Sequence, residues 1–480
     1  MAIHITIDDQ VLEVEEGLSI LEAARQNGIH IPTLCYLKEL DPQASCRICV
    51  VEVEGARTFI PSCATKVREG MVVRTNTEEV RANRKRTLEM IMAHHPVDCH
   101  HCLRLGSSKE EDLAPKFCEM CFWCDCVRDG ICELQKLNRE YHVDKLPFDV
   151  EEKRYEVDKS LGSVIRDDNK CVKCRRCIDV CNNIQCVHNL ALFGRGQDYR
   201  VTASMDKSMK ESLCVRCGRC VDVCPTGALH MNETIDKMLF YAHSYSSQMF
   251  GMVSSSVLPE LEKLNNMEEG TLDGHKLIAA MKKLGIDCVI SEEEIIDINQ
   301  TKAEEIIRQA TGQVIMSNSF SAKNFVDTYY PNLKDKVIYY ESLQETFAKR
   351  AKELASQFGF DVDELKTVVF TGNNENGAEV VEKGSVDFSM NARELYRTFM
   401  RTGVDLKRMN SADGLKMNLD KEHIFDAVTA PVCFNYEKEP EILKIDGKLV
   451  AIAHNLGQAK KLLDGVEAGI SGYDVIRICG

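Results

Sequence analysis

The chain has 480 residues, 44% hydrophobic and 28% charged, a globular balance that excludes a disordered chain and leaves room for about three or four domains. A formal net charge of −15 argues against a surface that tracks nucleic-acid phosphates. No apolar run approaches the ~20 residues needed to cross a bilayer, so neither a nucleic-acid partner nor a membrane span is expected.

The opening MAIHITIDDQVLEVEEG has no basic n-region and no apolar h-region, so a secretory signal is not expected and a cytoplasmic, reducing setting is. There the 23 cysteines read as metal ligands rather than as a disulfide framework. Twenty precede residue 225, and only Cys288, Cys433 and Cys479 follow. The chain thus divides into a metal-rich front and a metal-poor back, with the change between Pro225 and Phe250.

In residues 1–78, Ile3, Ile5 and Ile7 alternate, Asp8-Asp9 offers a turn, and Val11, Leu12 and Val14 follow. This is a β-hairpin pattern. Ser19 is placed to cap a helix through Leu21 and Ala24, with Gly28 as its stop. Cys35, Cys46, Cys49 and Cys63 then fall in loops or at strand ends, and four thiolates can close a [2Fe–2S] cluster, two per iron. Their spacing differs from the plant ferredoxin pattern. It resembles the N-terminal domain of iron-only hydrogenases and of the large peripheral subunit of respiratory complex I, which implies a β-grasp fold here.

Residues 79–155 form a second unit, entered by a helix over 78–93. The basic run Arg81-Ala-Asn-Arg-Lys-Arg86 reads as a solvated helix face, with a docking patch for an acidic partner as the alternative. Next come His95-x3-Cys99-x2-Cys102 and later Cys132-Glu-Leu-Gln. These resemble the His-ligated [4Fe–4S] domain of the same two families, which implies His95, Cys99, Cys102 and Cys132 as ligands. An imidazole there should raise the potential above that of an all-thiolate site. His94, His100 and His101 have no matching role, and zinc is the competing metal for a His/Cys mixture. An insert departs from the family pattern and carries Cys118, Cys121, Cys124 and Cys126. Because Cys126-x5-Cys132 repeats the family's rear spacing, either Cys102 or Cys126 completes the His95 cluster. The remaining thiols suit a further [4Fe–4S] cluster, a four-Cys zinc site, or no metal. Phe122 and Trp123 could shield such a centre from water.

Residues 156–235 carry the strongest signal. Cys171-x2-Cys174-x2-Cys177-x3-Cys181 is followed by Cys214-x2-Cys217-x2-Cys220-x3-Cys224-Pro225. This is the two-cluster bacterial ferredoxin pattern, in which the fourth Cys of each run serves the other cluster. One [4Fe–4S] cluster is expected on Cys171, Cys174, Cys177 and Cys224, and the other on Cys214, Cys217, Cys220 and Cys181. Asn182 stands where a proline usually follows, and Cys186 reads as a structural thiol.

Residues 246–480 alternate helical periods with short buried runs: Val314-Ile-Met316, Val337-Ile-Tyr339, Val368-Val-Phe370 and Val450-Ala-Ile452. Leu277, Ile278, Met281 and Leu284 make one apolar helix face, and the whole reads as an α/β domain. Leu284-Gly-Ile-Asp-Cys-Val289, Asn324-Phe-Val-Asp-Thr-Tyr-Tyr-Pro331, Ala392-Arg-Glu-Leu395 and Ala453-His-Asn-Leu-Gly-Gln-Ala-Lys-Lys-Leu-Leu463 resemble the H-cluster domain of iron-only hydrogenases. The family's cysteines do not carry over. Asn318 and Ser319 occupy the T-S-C-C-P cysteine positions, Gly372 occupies that of M-P-C-T-A-K, and the sequence ends at Cys479-Gly480 where M-A-C-P-G-G-C would begin. No H-cluster is therefore expected, and Cys288, Cys433 and Cys479 read as structural.

The expected architecture is multidomain α+β and α/β, with one [2Fe–2S] and three [4Fe–4S] clusters, and a further [4Fe–4S], a zinc ion or no metal in the insert. Nucleotide motifs are absent, since Gly194-Arg-Gly196 lacks the third glycine, so a flavin or NAD(P)H site belongs on another subunit. The resemblance implies an electron-relay subunit of a flavin-based bifurcating oxidoreductase, similar to the hydrogenase-like subunit of Sporomusa-type transhydrogenases. Its implied partners are an NADH-binding flavoprotein with FMN, a small [2Fe–2S] subunit, ferredoxin and an NADP-binding flavoprotein. Alternatives are a relay for formate dehydrogenase and a redox sensor built on an inactive hydrogenase.

Overall fold

The computed structural model describes residues 2–95, 126–128, 131–143, 147–148, 154–244, 247–372, 374–409, 437, 439–445 and 447–479. The opening alternation becomes a hairpin in which β1 (Ala2–Ile7) pairs antiparallel with β2 (Gln10–Glu15), Ile5 opposite Leu12. Asp8 and Asp9 both take positive φ, 47° and 64°, as a two-residue type I′ turn demands and as Asp tolerates. Ser19 accepts from the Glu22 N–H and caps the helix Ile20–Gln26. β3 (Val50–Val53), β4 (Ile60–Pro61) and β5 (Val72–Arg74) complete a sheet of order β2-β1-β5-β3-β4. β1 and β5 run parallel, and the other pairs antiparallel. The helix packs on this sheet through Ile20, Leu21 and Ala24, in a core that also holds Cys49 and Cys63.

The helix Glu78–Ala93 begins on a Thr77 cap, and its basic run does not simply face water. Arg84 is only 2% exposed. It donates to the Val50 carbonyl (2.7 Å) and the Tyr141 hydroxyl (3.0 Å), tying β3 to the helix Glu133–Glu140 and its C-terminal turn. The ferredoxin-like unit has two short ribbons: β6 (Val164–Arg166) with β9 (Leu229–Met231), and β7 (Leu190–Phe193) with β8 (Arg200–Ala203).

The back half has two sheets. The first, β11-β10-β14-β15, is wholly parallel and uses Cys288–Ser291, Met249–Val253, Lys366–Phe370 and Phe388–Met390. The second runs β13-β12-β18-β17-β16 through Val337–Tyr339, Val314–Ser317, Val475–Ile478, Lys448–Ala453 and Glu441–Ile445. It is parallel except for the terminal β16–β17 hairpin. All five residues of β10 are buried, as expected of a strand covered on both faces. Among the described residues no helix is long and apolar enough to cross a membrane.

Candidate iron–sulfur centres and the rebuilt back-half site

In the first unit the four thiols meet as two pairs. Cys35 shares a hydrogen bond with Cys46, and Cys49 shares one with Cys63. The pairs also sense each other, because Cys35 acts electrostatically on Cys49 and Cys63. Donation from Cys46 holds the Cys35 thiol down at about 5, and donation from Cys63 holds Cys49 at about 6. The donors Cys46 and Cys63 are pushed up in turn. Each pair brings two sulfurs within hydrogen-bond reach, where one iron could bind both as thiolates. Two such pairs match the two-per-iron demand of a [2Fe–2S] cluster. Left-handed residues shape the approach loop, with Ala44 at φ 48° and Arg47 at φ 60°, and the Ile48 N–H points at Cys46 Sγ (3.5 Å).

In the ferredoxin unit, Cys171, Cys174, Cys177 and Cys224 line one cavity, walled by Leu190, Val201, Pro225 and Leu229. Three of these thiols come from one run and the fourth from the other. Burial outweighs the few polar contacts these thiols make, such as the Lys173 N–H on Cys171 Sγ and the Arg176 charge near Cys174, and pushes Cys171 up to about 12. Such a thiol ionises only against a bound cation, so the donor set fits a cluster. Cys181 lies in turn among Cys214, Cys217 and Cys220. The two runs are also alike in backbone: Lys173 and Arg175 take φ of 56° and 68°, and Arg216 and Gly218 take 64° and 72°. These turns aim amides at the sulfurs, as the Lys173 N–H does at Cys171 Sγ (3.4 Å). Where proline would follow Cys181, the chain instead widens into a π-helical turn, Val180–Ile184.

The middle set is visible only in part. His95 and Cys132 are buried and Cys126 is half-buried, while Cys99, Cys102, Cys118, Cys121 and Cys124 lie outside the described residues. Cys132 stands at the N-terminus of the helix Glu133–Glu140. Burial raises its thiol to about 12, with Cys126 and Cys224 adding to the rise. The Glu133 N–H donates to the Pro225 carbonyl (3.0 Å), so this helix abuts the first ferredoxin cavity. Among the described residues no three His, Cys, Asp or Glu side chains converge closely enough to hold a single metal ion.

At the carboxyl ends of the back-half strands, the positions expected to lack thiolates, Asn318, Ser319 and Gly372, each hydrogen-bond to a polar side chain nearby. Ser319 caps the helix Phe320–Tyr329 through the Ala322 N–H and donates to buried Glu375 (2.7 Å). The Ser321 N–H donates to the same carboxylate oxygen (2.6 Å). Asn318 reaches Asn299 (3.0 Å), and the Gly372 N–H donates to Ser256 Oγ (2.9 Å). A Cβ added at Gly372 would lie 2.9 Å from that same oxygen, so a cysteine would not fit without displacing Ser256. Cys288 lies in β11 and Cys479 just after β18, and Cys433 is outside the described residues.

Residues 1–78 match the family described as 2Fe-2S iron-sulfur cluster binding domain. Residues 162–230 match the NADH-quinone oxidoreductase subunit 3 ferredoxin-like domain. Residues 247–480 match the C-terminal domain of the iron only hydrogenase large subunit. Together with the thiol sets, these matches define an iron–sulfur electron-transfer protein of the oxidoreductase class, with a hydrogenase-like back domain. The chain is 34% identical over 299 residues to the NADP-reducing hydrogenase subunit HndD of Solidesulfovibrio fructosivorans, covering 61% of this chain and 47% of that one. It is 31% identical over 213 residues to the mitochondrial NADH-ubiquinone oxidoreductase 78 kDa subunit of Neurospora crassa, covering 44% and 25%. The chain therefore spans less than half the length of these curated relatives. A solved NAD+-reducing [NiFe]-hydrogenase chain aligns at 26% identity and a TM-score of 0.40, over 48% of this chain and 87% of that one.

Proposed function

We propose that this chain is the electron-relay subunit of a flavin-based, electron-bifurcating oxidoreductase and carries no catalytic centre of its own. The observation that supports this reading is that Cys224 lies with the thiols of the first ferredoxin run and Cys181 with those of the second, the arrangement that two neighbouring clusters with exchanged fourth ligands would need. Clusters supply one-electron carriers; the chain's part is to bury the thiols, aim amides at the sulfurs and hold neighbouring sites together. One [2Fe–2S] site uses Cys35, Cys46, Cys49 and Cys63. The His95 site uses Cys99 and Cys132 with Cys102 or Cys126, and the ferredoxin unit holds the last two of four. Absent thiolates at Asn318, Ser319 and Gly372 argue against an H-cluster.

The implied partners are an NADH-binding flavoprotein with FMN, a small [2Fe–2S] subunit, ferredoxin and an NADP-binding flavoprotein, as in a Sporomusa-type transhydrogenase. The NADP-reducing activity in one relative's name is in line with this. The test pairs native co-purification with a hydrogen assay after maturation with synthetic diiron cofactor. Flavoprotein partners and hydrogen at the metal-free control level are expected. Hydrogen above that control overturns the non-catalytic reading. A formate dehydrogenase as partner redirects the relay, and a kinase or phosphatase partner makes the chain a sensor.

A further inference from the structure

Three cluster-bearing units meet around one buried guanidinium. Arg176 is 3% exposed. It donates to both carboxylate oxygens of Glu133 (2.8 and 2.9 Å) and to the Tyr36 carbonyl (3.0 Å). Each group it touches is one position from a candidate ligand: Tyr36 follows Cys35, Glu133 follows Cys132, and Arg176 itself precedes Cys177. Its charge also acts on Cys174 and Cys35. A second contact braces the same seam, the Asp41 N–H on Asp179 Oδ2 (3.1 Å).

We propose that Arg176 is the positioning residue of this junction, holding the [2Fe–2S] unit, the Cys132 helix and the first ferredoxin site in register for electron passage. This rests on the relay reading and adds a branch point to it. The planar fork presents two parallel donors to the carboxylate and a further one to a carbonyl, a geometry that the single nitrogen of a lysine does not reproduce. So buried a cation is tolerated because it is paired and hydrogen-bonded. Its positive charge favours the more negative, reduced state of the sites on either side, at Cys35 and at Cys174, and so raises their potentials.

The test uses the full-length, anaerobically purified chain with its clusters, as wild type, Arg176→Gln, Arg176→Lys and Glu133→Gln. Readouts are iron content, midpoint potentials by EPR-monitored titration, and the rate at which an electron leaves the reduced [2Fe–2S] signal in rapid-freeze experiments. Arg176→Gln is expected to keep its iron, lower the potentials of the [2Fe–2S] and first ferredoxin sites, and slow electron passage about tenfold, the change that ~1.4 kcal/mol on a barrier produces. Arg176→Lys should restore the potentials but not the rate. Glu133→Gln removes a negative charge and should raise the potentials. Wild-type potentials and rate in Arg176→Gln overturn the proposal. If that variant loses iron, unchanged potentials in Glu133→Gln overturn it instead. Failure of the relay reading looks different, because the wild type itself would then show no reducible cluster signals.

Discussion

The two ferredoxin runs and the strand ends of the back half are both places where buried polar chemistry is concentrated, and they treat it oppositely. Around Cys171, Cys174, Cys177 and Cys224 the walls are apolar and the thiols are pushed up by burial, with Cys171 at about 12. The amides and the guanidinium near them offset only part of the burial, so the thiol set suits a bound cation. Around Ser319 every demand is met from within: its hydroxyl serves Glu375 and a helix cap, and the amide of Gly372 is answered by Ser256. One arrangement is incomplete without an added group; the other is closed. Buried polar groups that find partners stabilise a fold, and those left without partners mark a place where something else binds.

The largest expected effect comes from breaking the incomplete side. Cys174→Ser and Cys217→Ser should each abolish ferredoxin-linked turnover and remove about 4 iron atoms per chain. NADH oxidation by an artificial acceptor at the flavoprotein should survive. Full ferredoxin activity in both variants, with the clusters shown to be lost, would move the docking site elsewhere.

The insert offers a finer test of the same contrast. With a cluster there, anaerobically purified chain should hold about 18 iron atoms, and Cys118→Ser/Cys121→Ser about 14. Loss of zinc instead of iron would make the insert a four-Cys zinc site. A double variant that loses neither metal shows the insert to be metal-free.

The smallest effect belongs to the closed side. Ser319→Ala removes a helix cap and one donor to buried Glu375, which together should cost about 2 kcal/mol of stability in denaturant unfolding. Iron content should not change. A fall in iron would mean that the two halves are not independent in this sense.

Much of the front half was legible because its rules are local. Alternation gave β1 and β2, Ser19 and Gly28 bounded the first helix, and the cysteine spacings grouped the thiols. The short strands β12, β13, β14 and β17 showed as apolar runs in the back half. β10 did not, since Met249-Phe-Gly-Met-Val253 has neither alternation nor β-branched density, and one of its faces is covered by Phe347 and Ala351 from a helix about a hundred residues on. Arg84 was hidden for a related reason. A run of basic residues reads as a wet face, and only the folded chain brings Val50 and Tyr141 to it. Arg176 sat inside a motif spacer, where spacing carries no information about the side chain. Cys99, Cys102, Cys118, Cys121 and Cys124 fall outside the described residues, so the middle set rests on its sequence pattern and on His95, Cys126 and Cys132.

The matched backbones of Arg175 and Gly218 carry one more consequence. In the first run the left-handed position holds an arginine, which reaches the Tyr199 hydroxyl (2.7 Å). In the second, a Cβ at residue 218 would fall 2.6 Å from that of Asn374, whose amide is bonded to Asp222. Cys181 and Cys217 also pack against the core formed by Ile315, Phe325 and Leu456. A near-duplicate pair of sites has thus been given unlike surroundings, because only the second is seated in the back half. Its lifetime in air should therefore depend on casing supplied by residues about a hundred or more positions from its ligands, and trimming that casing would age one cluster and spare its twin.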